Sequence, residues 1–237
     1  MDGNNHKSRG YMASQPAHIQ IRNTIQTMNT LKDGKDIRAW SITARKELSA
    51  SSEVDVVNVK GDIIGTAPKL ALVVVSRVFR EHFEAHSEAN QVKISSPSID
   101  TQAVSVLLVW VHSILRNAGT FGVAIPKPPL PSYMIKVRHA AYKLGMEQYT
   151  RHFQKVYKDN LRGRCPLPEE CNLLERLAIE PADDMVTGVG ERLAYLRRRG
   201  EFDADSIAAL AEFLKAHPKI QKAVMNADVR AALSRRN

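Results

Sequence analysis

Cysteine is scarce in this chain: Cys165 and Cys171 are the only two among 237 residues. Two thiols cannot build the disulfide framework of a small secreted fold. No apolar run approaches the ~20 residues that a membrane-crossing helix needs. The opening Met1-Asp2-Gly3-Asn4-Asn5-His6-Lys7 also lacks the apolar centre of a secretory signal. The expectation is a reduced intracellular protein, in nucleus or cytoplasm and off the membrane. Aromatic residues make up only 6% of the chain and are not interleaved with basic ones, so no stacking platform for single-stranded nucleic acid is visible.

What is present is ordinary globular material. A chain of 237 residues with 43% hydrophobic content is long enough for one or two domains with cores of their own. The formal net charge is +9, with an excess of four in residues 1–50, four in 51–161 and one in 162–237. No block is dense enough to act as a nucleic-acid arm. Dispersed basic charge steers acidic partners from a distance without naming one. A basic nucleic-acid-associated protein is the alternative reading, and steep salt dependence would be its mark.

Residues 1 to about 35 are rich in Asn, Ser, Gln, Thr and Gly, and read as a mobile tail that cannot offset its ordering entropy. Ile37, Trp40, Ala44 and Leu48 fall at helical spacing, which predicts a short amphipathic helix over 36–48. The block 51–161 is mixed. Val54 to Val59 and Gln91 to Ser95 alternate as strands, and Gly61-Asp62 reads as the turn of a hairpin with Ile63-Ile64. Leu72, Val75, Phe79 and Phe83 predict one helix from Pro68 to Phe83, overriding the strand propensity of Val73-Val74-Val75. Ser98 or Asp100 can cap a very apolar helix running from Val104. A helix apolar most of the way round is a central core element or has a second face that meets a partner. Asn117 to Pro131 is a Pro-rich loop, and helices follow at Tyr133–Gly145 and Gln148–Leu161. Residues 162–237 read as a helical extension with helices at Glu169–Ile179, Gly190–Arg199, Asp205–His217 and Pro218–Leu233. Its third helix has the apolar stripe Ile207, Leu210, Ala211 and Leu214; Ile220, Val224 and Leu233 mark the fourth.

No catalytic, cofactor or metal constellation emerges. Ser76 has no Gly-x-Ser-x-Gly elbow around it and no evident His/Asp pair, so a core serine bonding to its own helix is the simpler reading. His82 and His86 stand four apart, but Phe83 occupies the place where a zinc protease needs Glu, and no third ligand is evident. Cys165 and Cys171 match no paired zinc spacing, and Gly188-Val189-Gly190 follows no strand. Arg197-Arg198-Arg199 complements the negative end of its own helix.

From Val54 to Asn160 the chain places Asp55 in its first strand, Lys69 opening a helix, Ser76 with Phe79, and Ile99-Asp100 entering a later helix. The core run Leu107-Leu108-Val109-Trp110, with Val111, and the closing Ala141, Leu144 and Gly145 follow. Taken in this order, the residues resemble a BTB/POZ domain, an α+β interaction fold of a small sheet flanked by helices, of the divergent kind common in filamentous fungi. Two departures stand out: Pro68 replaces the family's usual His, and a Pro-rich insertion replaces its Tyr-Thr-Gly end. The resemblance implies a non-enzymatic adaptor or scaffold that homodimerises through its N-terminal helical region, here Ile37, Trp40 and Leu48. It implies Asp55 and Lys69 as a charged pair beneath the dimer groove. It also implies a link to a cullin-type ubiquitin ligase or a transcription complex, with no cofactor.

Overall fold

In a computed structural model, which describes residues 15–179 and 183–234, the chain is α+β, with one small sheet and many helices. The first half holds α1 (Ala17–Thr30), α2 (Ile42–Ser49), β1 (Glu53–Val57), β2 (Ile63–Pro68), α3 (Lys69–Val75), α4 (Arg77–Ala85), β3 (Gln91–Lys93) and α5 (Thr101–Arg116). The second half holds α6 (Pro131–Lys143), α7 (His152–Leu161), α8 (Pro168–Leu177), α9 (Asp184–Arg198), α10 (Ala204–Lys215) and α11 (Pro218–Ser234). The chain divides into two units. One comprises the described residues up to Ala124 with Ala140–Thr150; the other comprises Ile125–His139 and Arg151 onward. Residues 151–161, grouped with the central block on sequence, thus belong to the second unit.

The sheet is ordered β2-β1-β3, with β1 antiparallel to β2 and parallel to β3. Its hairpin turns where expected. Gly61 takes φ 94°, a conformation L side chains avoid, and Asn58 Oδ1 accepts from the amides of Lys60 and Asp62 at 2.8 and 3.0 Å. The register shifts between Val56 and Val57, and both side chains are buried.

The single helix expected over Pro68–Phe83 is two. Ser76 leaves the helical region at φ −130°, ψ 125°, and its Oγ accepts from Phe79 N at 3.1 Å while donating to Leu144 O. Ser76 therefore caps α4 and ties the break to the chain after α6. Arg80 reaches back to donate to the carbonyls of Val73 and Val74, which close α3. All seven residues of α3 are buried, Lys69 included, so its valines serve packing on every side rather than a strand. Gly145, at φ 65°, comes so close that an added Cβ would lie 2.9 Å from Arg77 Cβ.

The expected tail is also corrected. Residues 17–30 form α1, which buries Ile21, Thr24 and Met28 and packs on α3 and α4. The rest of that expectation, residues 1–14, lies outside the described residues. The helix predicted over 36–48 is instead a 3-10 turn at Ile37–Ala39 followed by α2, because Asp36 caps the turn and Ser41 caps the helix separately. From α2, Arg45 projects into the unit's interior and donates to the carbonyls of Ile114 (2.7 Å), Gly119 and Ala118 (both 3.1 Å), at the end of α5 and just beyond it.

In the second unit α9 and α11 pack most closely. A Cβ on Gly190 would fall 2.5 Å from Ala223 Cβ and 2.6 Å from its carbonyl carbon, so this crossing admits only glycine. The Gly188-Val189-Gly190 run is thus a packing device inside a helix. The two expected stripes are only partly buried. Of Ile207, Leu210, Ala211 and Leu214 on α10 only Leu214 is buried, because α10 is held near its C-terminal end by Leu214 and His217. On α11 Ile220 and Val224 are buried as expected, together with Ala223 and Ala227, whereas Leu233 lies off that side and is exposed.

Two substitutions test these contacts. Gly190→Ala is expected to destabilise the second unit by about 1–3 kcal/mol, since the close neighbours include backbone; urea unfolding followed by hydrogen exchange on α9 and α11 measures it. Arg45→Met keeps the apolar stem but strands three carbonyls, and is expected to cost about 2–4 kcal/mol in the first unit, read by the fluorescence of Trp40 and Trp110 during unfolding.

Candidate interaction surface

The residues singled out from the sequence fall mainly into the core of the first unit. Phe79, Leu107 and Val111 are completely buried and Trp110 nearly so. Trp110 packs on Tyr149 with ring centroids 4.3 Å apart and planes tilted by 38°, and donates from Nε1 to Phe121 O at 3.2 Å. Tyr149 in turn accepts from Ile37 N at 3.1 Å and lies under the Arg38 guanidinium. Ile37, Trp40 and Leu48 point inward, and Trp40 Nε1 donates to Gly34 O at 2.8 Å. The apolar groups proposed as a dimer segment are therefore spent inside the unit.

Asp55 and Lys69 do not pair; among the described residues they form no ion pair. Lys69 Nζ donates to Ser87 O at 2.8 Å and stands 5.6 Å from the Phe83 ring centroid. Burial pushes its ammonium below the usual lysine range, against the pull of Glu88. Asp55 lies on the central strand opposite Thr66 and Gln91, away from the strand's end, where Glu53 rather than Asp55 stands opposite Pro68.

Exposure is concentrated elsewhere. Val109 on α5 is 65% exposed and Ile63 on β2 is 62% exposed, the two largest values among the large apolar side chains of the described residues. Their elements adjoin: His112 Nε2 lies 2.9 Å from Thr66 O, and a Cβ on Gly65 would lie 3.1 Å from Leu108 Cδ1. β2 is an edge strand of the sheet, and it packs on α5 through these contacts. A cleft of about 240 Å³ opens nearby, between Lys60, Asp62, Ile64, Ile94, Ile99 and Val104. This is smaller than the roughly 300–1,000 Å³ of typical small-molecule sites. The sequence signal for the surface was an α5 apolar on every side; of the run Leu107-Leu108-Val109-Trp110 that the resemblance placed in the core, Val109 is the one left outside, because helical spacing turns it away from the side that buries the other three.

The side chains tested for chemistry are occupied or muted. Ser76 Oγ is engaged with Leu144 and Phe79. His82 and His86 lie with ring centroids 5.2 Å apart, and burial, then His86, holds His82 below its usual value. Among the described residues no three His, Cys, Asp or Glu side chains converge as a metal site. Burial, then Glu170, pushes the Cys171 thiol up to about 12, and Cys165 is raised as well, so both are held as thiols at neutral pH. No helix among the described residues is long and apolar enough to cross a membrane. Comparison with protein-family models, curated proteins and solved structures returns no match.

Burial pushes the Tyr149 phenol up to about 12, partly offset by its hydrogen bond from Ile37. The unfolded phenol ionises near 10, so the stabilisation from Tyr149 is complete below that pH. It drains away as pH rises from 10 to 12, by up to about 1.4 kcal/mol per pH unit. Tyr149→Phe lacks this loss, and the difference in melting temperature between the two proteins is expected to narrow across that window.

Proposed function

We propose that the first unit is a BTB/POZ-like interaction module, acting as an adaptor or scaffold, and that it self-associates through the outer face of α5 and the β2 edge. The observation that carries this reading is the pair Val109 and Ile63, each more exposed than buried at 65% and 62%, on elements that pack against each other. Large apolar groups left in water favour removal from it, at about 25 cal/mol per Å² of apolar area covered. An edge strand also offers unpaired backbone groups to an incoming chain.

The family reading draws support from the joint order of elements. Asp55 sits on the central strand, Lys69 opens α3, Ser76 separates α3 from α4, and Asp100 accepts from Ala103 N to cap α5. A second partner, of the cullin-linked or transcriptional kind that the resemblance suggests, then docks away from this face.

Light scattering of the full chain over a concentration series tests the proposal. The Val109→Asp/Ile63→Asp double variant is expected to lower the assembled mass by half with little change in melting, because both positions are largely outside the core. A wild-type chain that stays monomeric throughout would sink the reading. Salt-sensitive retention on duplex DNA would favour the nucleic-acid alternative instead.

A further inference from the structure

The second unit carries an apolar surface of its own. Met225, Val229 and Leu233 recur every four residues along α11 and are 61%, 58% and 56% exposed, while the opposite side of the helix is buried. On the neighbouring α10, Ile207 is 44% exposed beside the exposed Ala208 and Ala211. A helix pair of 12 and 17 residues therefore shows water large apolar groups that its own unit does not cover.

The charges on the two helices have opposite signs. Residues 201–215 contain Glu201, Asp203, Asp205 and Glu212 against the single cation Lys215. Residues 218–234 contain Lys219, Lys222 and Arg230 against the single acid Asp228. Asp228 is gripped by Arg197 and Arg198, Arg230 pairs with Glu191 at 3.0 Å and Lys219 Nζ donates to Glu175 O, which leaves Lys222 as the exposed cation without an ion pair among the described residues. Lys222 precedes Met225 by three residues and Val229 by seven, so it lies on the exposed stripe itself. The acidic helix and the basic helix each carry half of a complementary pair, and the only chain certain to supply both halves is another copy of this one.

We infer that α10 and α11 form a second self-association site, in which α10 of one copy lies on α11 of its partner, and the reverse, about a two-fold axis. Such an isologous arrangement uses each stripe once and matches acid to base twice. The site is independent of the α5 face. With both in use the chain assembles beyond a dimer.

A charge exchange tests the pairing on the full-length protein. Asp205→Lys/Glu212→Lys makes α10 basic, and Lys222→Glu/Arg230→Glu makes α11 acidic. All four positions are exposed, and their existing surface ion pairs contribute little to folding. Each variant alone sets like charges against each other, and its mass by light scattering is expected to fall to half that of the wild type. An equimolar mixture of the two variants restores attraction at both contacts, and its mass is expected to return. Unchanged mass in either variant alone, or a mixture that fails to reassemble, overturns the inference. Repeating the series in the Val109→Asp/Ile63→Asp background separates the two sites. There the native helix pair gives a dimer and each reversed one a monomer. If the α5 proposal is wrong, the background substitutions leave the mass unchanged while the charge exchange still acts.

Discussion

A guanidinium held by backbone carbonyls keeps the first unit in register. Arg45 is 2% exposed, and its donors meet the carbonyls of Ile114, Ala118 and Gly119, where α5 ends. A helix C-terminus leaves carbonyls without in-helix partners and carries the negative end of the helix dipole, so a cation is favoured there. Removing that cation from water is costly, and the cost is offset only where several oxygens converge on it. The contact therefore specifies both the depth and the angle of α2 against α5, whereas an apolar contact would tolerate slippage. Other features follow from this fixed placement. Ile37 and Trp40, just upstream of α2, are carried into the core, where Tyr149 accepts from Ile37 N. Tyr149 packs in turn on Trp110, six residues before the end of α5.

Much of this architecture is legible in the sequence because it depends on local chemistry. Gly61 and Asn58 specify the hairpin turn, Asp100 caps α5, and Asp203 caps α10 by accepting from Ser206 N. The break at Ser76 is less legible for a physical reason: Leu72, Val75, Phe79 and Phe83 keep nearly helical spacing through it. Part of what stabilises the break is Leu144 O, 68 residues away. The signal for α1 was present in Ile21, Ile25 and Met28, but the polar composition around them outweighed it. Arg45 left no signature, since its partners are backbone carbonyls and any residue type supplies those. The same holds for the separation of Lys69 from Asp55, which follows from Lys69 Nζ reaching a backbone oxygen at Ser87. Which side of an apolar helix meets water is equally a tertiary matter. Leu107 and Val109 are alike in the sequence and opposite in exposure.

Two helices, α5 and α11, carry apolar residues on more than one face, but they stand in different energetic positions. The buried side of α5 is built from Leu107, Trp110, Val111, Ile114 and Leu115, large groups that yield about 1.5–3 kcal/mol each on full burial. Such a helix is anchored with or without a partner on Val109. The buried side of α11 has Ile220 and Val224, but otherwise Ala223 and Ala227, with Gly190 opposite. Small side chains permit close approach and good dispersion contact, yet they remove little apolar area from water. Asp228, held by two arginines at a half-exposed site, adds modestly to this. The larger apolar groups of α11 after Val224 are Met225, Val229 and Leu233, and these are the ones left outside. Covering them would more than match what Ala223 and Ala227 bury, so α11 has more to gain from association than α5 does. A helix that buries Ile220 and Val224 but leaves Met225, Val229 and Leu233 in water keeps three of its five large apolar groups available to a further surface.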